Sequence, residues 1–296
     1  MTNTQRPALP WHGFLLGLLA FAFYSAGDVT VKMLSAQFDV LQIFALLQWI
    51  ALPMLIVFII YRGGVQALRS RKLPHQIGRG VLFTLQGLGA FYGFQHLPMA
   101  NTYTFIFVMP IFTLIFAVLF LHEKVTRLQV MLMLVAFMGV LVVFRPGLDA
   151  INMAALIVLS SSMIGGLSSV WMRYLNQHDG FGPSLLYPII TGAILTALLA
   201  APNWRPLTAD IIPLFLLSGS ITAVAHCLIV SAFFYAPASQ VAPTQYSQII
   251  WGVLYGYFFF SDVPDGFVII GAIMIVLSGV WLARIEYQQN HAVAHG

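Results

Sequence analysis

Charge is what this sequence has least of. Only 7% of its 296 residues are Asp, Glu, Lys or Arg, while 60% are hydrophobic; a soluble domain carries roughly a quarter charged residues. So small a supply cannot cover a water-facing surface, and lipid must be the solvent for most of the chain. Cysteine is nearly missing too. A single Cys227 excludes an intrachain disulfide and a thiolate metal cluster. No basic run is long enough to track a phosphate backbone, so the formal charge of +4 speaks for membrane topology and against nucleic acid. A Walker motif is absent, which removes ATP as a direct energy source. "HEKVT", from His122, lacks the second His of a zinc-protease helix. No Ser nucleophile motif accompanies a His, and neither an enzymatic activity nor a cofactor or metal is expected.

What is present is apolar length. A bilayer core needs roughly 20 apolar residues as helix. Ten such stretches are predicted, at about 11–32, 40–61, 77–97, 100–121, 128–145, 150–173, 184–201, 208–234, 239–260 and 266–283. Short loops join them, apart from "YRGGVQALRSRKLPHQIGR", and no soluble domain fits between. One Arg precedes the first stretch and no small-residue cleavage signature follows it, so it reads as a retained helix and not a signal peptide. With the N-terminus on the cytoplasmic side, the inside elements hold Arg6, Arg62, Arg69, Arg71, Lys72, Arg79, Lys124, Arg127, Arg173 and Arg284. The outside keeps Lys32, Arg145 and Arg205. That asymmetry predicts a multi-pass protein of the inner (plasma) membrane with both termini cytoplasmic.

Two short passages resemble each other. "HLPMANTYTFIFVMPIF" at 96–112 returns as "YAPASQVAPTQYSQIIW" at 235–251. A constant offset of 139 residues aligns Pro98 with Pro237, Asn101 with Gln240, Phe107 with Tyr246, Phe112 with Trp251, Glu123 with Asp262 and Arg145 with Arg284. Each half, residues 1–147 and 148–296, then holds five spans. Five is odd, so the second half would lie inverted, as in secondary transporters whose halves rock about a midplane site. The expected fold is an all-α membrane protein of ten helices in a 5+5 inverted repeat.

The stretch "PIFTLIFAVLFLHEKVTRLQVMLMLVAFMGVLVV" from Pro110 resembles the drug/metabolite transporter superfamily, specifically its ten-helix EamA-type members. Pro110, Glu123 and Gly139 match that signature, and "SAGDVTVKML" is similar to the family's usual exit from the first helix. The resemblance implies a 5+5 inverted fold and a substrate drawn from amino acids, nucleotide precursors, vitamins, sugars or cationic drugs. His122 stands where the family commonly has Gly, Asp262 where it has Glu, and Gln48 near where many members carry Arg.

Polar residues inside apolar spans face a cavity or a partner. In the first span Gly17, Phe21, Tyr24 and Asp28 share a stripe, with Asp28 either facing a cavity or pairing with Lys32 at i+4. The third carries Gln86, Gly89, Gly93 and His96 on one face. In the sixth, Ser161 and Ser168 lie on one stripe, either bonding back to their own helix or lining a polar site that Trp171 would close. His226 sits deep in the eighth. The ninth aligns Gln245, Gln248, Gly252 and Tyr255, flanked by Tyr246 and Trp251. The pairs Gly13/Gly17, Gly89/Gly93 and Gly252/Gly256 read as close-packing motifs. Irregular backbone is expected near Pro110 and Pro243. Glu123 and Asp262 read as helix-end contacts.

The expected function is secondary transport of a small polar or amphipathic metabolite by alternating access, best an amino acid or related zwitterion and in the export direction. A planar aromatic compound, a vitamin or an organic cation is the alternative, and a channel follows it. Substrate-binding candidates are Tyr24, Gln86, Tyr103, Ser161, Ser168, Trp171, Gln245, Tyr246, Gln248 and Trp251. Asp28 and His226 are candidates for proton coupling; a proton or substrate gradient is the expected energy source, with uniport or facilitated export equally allowed. The other expected partners are lipid and at most a second copy in a homodimer.

Overall fold

The computed structural model describes residues 12–97, 99–145, 152–260 and 263–294, and all regular structure in them is helical. The helices are α1 His12–Leu34, α2 Val40–Gly63, α3 Leu73–His96, α4 Met99–Ile106, α5 Met109–Leu121, α6 Arg127–Phe144, α7 Met153–His178, α8 Phe181–Ala200, α9 Ile212–Tyr235, α10 Ala238–Val241, α11 Ser247–Phe260 and α12 Gly266–Ala294. Capping residues mark several starts. Asp39 accepts from the Leu41 amide, Asn152 from Ala155, and Thr126 with Gln129 closes a reciprocal capping box. Between α7 and α8 the chain turns within two residues, which needs Gly180 at φ 96.

Among the described residues, seven helical stretches are long and apolar enough to cross a membrane. The predicted third span is the 24-residue helix α3, whose Gln76, Arg79 and Gln86 keep it out of that group. The predicted ninth is not one helix: α10, a 3-10 turn over Ala242–Tyr246 and α11 divide it, with Pro243 inside the turn. The predicted fourth is likewise broken, between α4 and α5 just before Pro110. Pro98, Asp262 and Arg6 lie outside the described residues.

Helix limits recur at the spacing seen in the sequence. Adding 139 to the ends of α3 gives those of α9. The same shift carries the start of α4 to α10, the end of α5 to α11, and the start of α6 to α12. Packing follows suit. Helix α1 packs on α9 and α11, α7 on α3 and α5, α2 on α8 and α9, α3 on α8, and α6 on α12. Exchanging each first-half helix for its counterpart maps every one of these pairs onto another or onto itself.

In lipid, helices are held by close packing rather than by expulsion of water. Small residues supply it here. Gly13 faces Ala236, Gly17 faces Thr244, Gly89 faces Ser161, Gly93 faces Val158, and Gly139 lies against the Gly271 carbonyl. The Gly252/Gly256 reading needs correcting: a Cβ at Gly252 would meet nothing within 4 Å, because that position borders a cavity. Large apolar side chains such as Leu198, Phe258, Leu277 and Trp281 remain exposed around the bundle, as a lipid-facing surface requires.

Candidate functional site

A cavity of about 300 Å³ lies in the middle of the bundle, where α1, α2, α3 and α9 meet the two broken helices. Its walls are largely aromatic, with Phe21, Tyr24, Phe44, Phe83, Phe91 and Tyr103 among them. Amides are set between the rings: Gln48, Gln86, Gln245 and Gln248. Two charged side chains line it, one of each sign, Asp28 and Arg79.

Asp28 joins the two halves of the chain. Its Oδ2 accepts from Gln248 Nε2 at 2.8 Å and from Tyr103 OH at 3.3 Å. Gln248 is the second residue of the helix after the 3-10 turn, so the break at 242–246 is what aims its amide at α1. Asp28, Tyr103 and Gln248 also border a second cavity, of about 450 Å³, which runs between α1, α6, α11 and α12 past Gly252 to the exposed Val263 and Asp265. The three residues thus form the partition between the two spaces.

One turn away from Asp28, Tyr24 OH and His226 Nδ1 are 3.2 Å apart. The imidazole meets Phe83 edge-on, with ring centroids 5.1 Å apart. Arg79 lies on the other side of that layer and is 4% exposed. Its Nη1 donates to the Ser184 carbonyl at 2.6 Å, Nη2 lies 3.1 Å from Met172 Sδ, and Nε has no hydrogen-bond partner.

The end of the bundle that holds Arg62, Arg69, Arg71, Lys124 and Arg127, called here the basic end, is fastened by hydrogen bonds. Both Glu123 oxygens accept from backbone amides at the start of α10, Oε1 from Ala238 and Oε2 from Ser239, each at 2.9 Å. Arg173 Nη1 donates to the carbonyls of Phe233 and Phe234, and Asn176 to that of Val230. Asp179 gathers the α2–α3 connection, accepting from Ser70 Oγ, Gln76 Nε2 and the amides of Arg71 and Lys72. Partial burial pushes the Asp179 carboxyl up, but these hydrogen bonds outweigh it and hold the group below the usual carboxylate range.

The structure brings Tyr24, Asp28, Gln86, Tyr103, Ser168, His226, Gln245 and Gln248 to the central cavity. Other candidates lie elsewhere. Ser161 bonds its own helix at the Val158 carbonyl and packs on Gly89, the back-bonded reading of that stripe. Trp171 covers Gly78 and meets His75 towards the basic end. Tyr246 is 1% exposed in a cluster with Phe107 and Ile249. Trp251 lines neither cavity, and its indole nitrogen is buried without a hydrogen-bond partner. The lining residues outside the candidates include one charged side chain, Arg79, and one amide, Gln48. Arg79 was counted as an interfacial topology charge, and Gln48 was noted only as a departure from the family pattern. Six helical residues precede Arg79 in α3, and that depth was the available signal.

An all-helical bundle with a polar-studded cavity inside an apolar shell defines a multi-pass membrane protein built to hold a small solute. Residues 11–145 match the EamA-like transporter family. The chain is 27% identical to the pseudopaline exporter CntI of Pseudomonas aeruginosa (strain UCBPP-PA14), over 93% of this chain and 96% of that protein. It is 25% identical to the S-adenosylmethionine uptake transporter of Rickettsia bellii, over 91% and 92%. It is 26% identical to the riboflavin transporter of Vibrio cholerae, over 95% and 96%. One solved crystal structure superposes with a TM-score of 0.76 over 96% of this chain and 99% of the other at 16% identity, which shows a shared fold. Through residues 11–145 the chain thus resembles EamA-like transporters, and over nearly its whole length it is similar to proteins that carry metabolites across membranes.

Proposed function

We infer that the chain is a secondary transporter in which two five-helix units, residues 1–147 and 148–296, lie inverted in the inner membrane with both termini cytoplasmic. The units alternate access to the central cavity. The shift of 139 residues that carries helix limits and packing pairs from one half to the other supports this reading, because an inverted pair has two nearly equivalent arrangements about one site. The cargo is a small polar or amphipathic metabolite, best an amino acid or related zwitterion, moved outward. Its polar groups meet Asp28, Gln248, Gln245 and Gln86 while its apolar part meets the rings. Asp28 is the proton-coupling candidate, with His226 beside Tyr24 as the second.

The observation that carries the proposal is Asp28 itself. A carboxylate at membrane depth, bound by Gln248 of the other half and bordering both cavities, is costly unless it serves a solute or an ion. The aromatic wall favours a second reading, a planar compound such as a vitamin or organic cation stacked on rings, in keeping with the riboflavin transporter among the relatives. Uptake into proteoliposomes, screened over amino acids, vitamins and organic cations with and without a pH gradient, tests both. Saturable flux accelerated by cargo on the opposite side is expected. Flux that rises without saturation contradicts a carrier.

A further inference from the structure

Arg79 has no role in the account so far, yet a guanidinium buried to 4% exposure is among the most expensive side chains a membrane bundle can hold. Its described partners are a carbonyl and a thioether, and no described carboxylate pairs with it. On the same cavity wall, Gln48 is 2% exposed with both Nε2 and Oε1 unpartnered. Unsatisfied donors at this depth, on the wall of a cavity, are the arrangement expected of an anion receptor whose guest is not bound.

The distance between the two charges follows from the helices. Gly13 faces Ala236 and Gly27 faces Ile221, so α1 and α9 are antiparallel. Phe38 meets Phe215 and Ile50 faces Gly219, so α2 runs with α9. Gly182 faces Ile59 and Gly192 faces Gln48, so α8 runs against α2. Ser184 meets Gln76 and Thr191 meets Gly80, so α3 runs with α8 and therefore with α1. His226 touches Tyr24 on one side and Phe83 on the other, which puts those two at one level. Asp28 is one turn beyond Tyr24 and Arg79 one turn before Phe83. At 1.5 Å of rise per residue the two charges stand about 12 Å apart along the bundle, in opposite directions from the imidazole.

The geometry points to a two-pole site that takes an elongated zwitterion, its carboxylate on Arg79 and Gln48 and its cationic group on Asp28 and Gln248. This rests on the transporter reading and narrows its cargo. An α-amino acid carries both charges on one carbon and reaches one pole at a time. A cargo with a spacer between them fills both, and its middle lies among Tyr24, Phe83 and His226.

Binding to the purified full-length protein in detergent, followed by tryptophan fluorescence and by thermal unfolding, tests this with defined probes. The probes are ω-aminooctanoate, glycine, and the single-charge analogues ω-aminooctanol and ω-hydroxyoctanoate. The expected order is ω-aminooctanoate tighter than each of the others by about tenfold, the scale of one charge-assisted hydrogen bond. Arg79→Gln reduces ω-aminooctanoate to the level of the amino alcohol and leaves the amino alcohol unchanged, Asp28→Asn does the converse, and Arg79→Lys lies between. Gln48→Glu, which places an anion on the wall that carries Arg79, gives the same selective loss and serves if Arg79→Gln does not fold. The proposal is overturned if ω-aminooctanoate does not bind, if glycine matches it, or if a folded Arg79→Gln or Gln48→Glu protein binds it as well as the parent. Saturable flux of an aromatic or singly charged compound, unmoved by Arg79→Gln, would overturn the two-pole site and leave the transporter standing. Loss of saturable flux for every compound would overturn both.

Discussion

The two ends of the bundle are closed by different means. At the basic end, Glu123 ties α5 to α10, Arg173 and Asn176 tie α7 to α9, and Asp179 ties α7 to the α2–α3 connection. The far end, which holds Lys32, Arg145 and Arg205, is fastened on its α2 side, where Gln42 and Arg205 exchange hydrogen bonds of 2.6 and 2.9 Å. Its α6–α12 side carries, among the described residues, the Arg145–Asp265 ion pair, half exposed to solvent, and there the larger cavity leads in as far as Asp28. The difference teaches which end yields first. Several partly buried hydrogen bonds, most of them to backbone, hold one end shut, while one side of the other rests on a screened surface contact.

The contrast is broken most severely at the partition where the spaces meet. Asp28→Asn removes the charge that Gln248 and Tyr103 serve, and transport in proteoliposomes is expected to fall by about tenfold to a hundredfold, the scale of losing a charged acceptor. Accumulation driven by a pH gradient should disappear while exchange survives, if Asp28 also carries the proton. Unlatching the basic end comes next. Glu123→Ala leaves the amides of Ala238 and Ser239 without their acceptor, at a cost of about 1.5–3 kcal/mol. Cysteine labelling from the basic end should then rise by about tenfold or more; unchanged labelling would show that Arg173 and Asn176 suffice.

A smaller effect belongs to Asp179→Asn, about 1 kcal/mol in thermal stability because water reaches the site, with faster proteolysis of the 64–72 connection. Folding holds the Asp179 carboxyl below its ordinary range, so its contribution is complete above about pH 4 and fades as the pH falls through the lower folded value. A melting curve against pH should therefore lose that acid limb in the variant. The least is expected of Arg145→Ala. Its partner Asp265 is held below the ordinary range first by the Val268 amide and then by Arg145 itself, and the exposed pair should leave melting temperature nearly unchanged at physiological salt.

Much of this bundle was legible in the sequence, because spans, loops and the 139-residue spacing are properties of apolar length and position. Cavity-lining positions were legible where a polar residue stood on an otherwise apolar stripe, as with Asp28 and His226. It was not legible where the neighbour decides. Ser161 and Ser168 share a stripe, yet Gly89 lets α3 close over Ser161 while Ser168 reaches the cavity. Gly17 and Gly252 have the same spacing pattern, but Thr244 fills the space at one and a void fills it at the other. Arg79 escaped because counting basic residues near helix ends assumes that each one snorkels to the interface; at six residues in, with the Ser184 carbonyl facing it, this side chain turns to the bundle interior.

The central claim, a site reached from the far end and sealed at the basic end, is tested most directly at Gly252, where an added side chain meets open space. In a Cys227→Ser background, Gly252→Cys should react with a membrane-impermeant maleimide applied to the far face and not to the basic face, and bound cargo should slow the reaction. Equal reaction from both faces, or protection from both, would contradict the account.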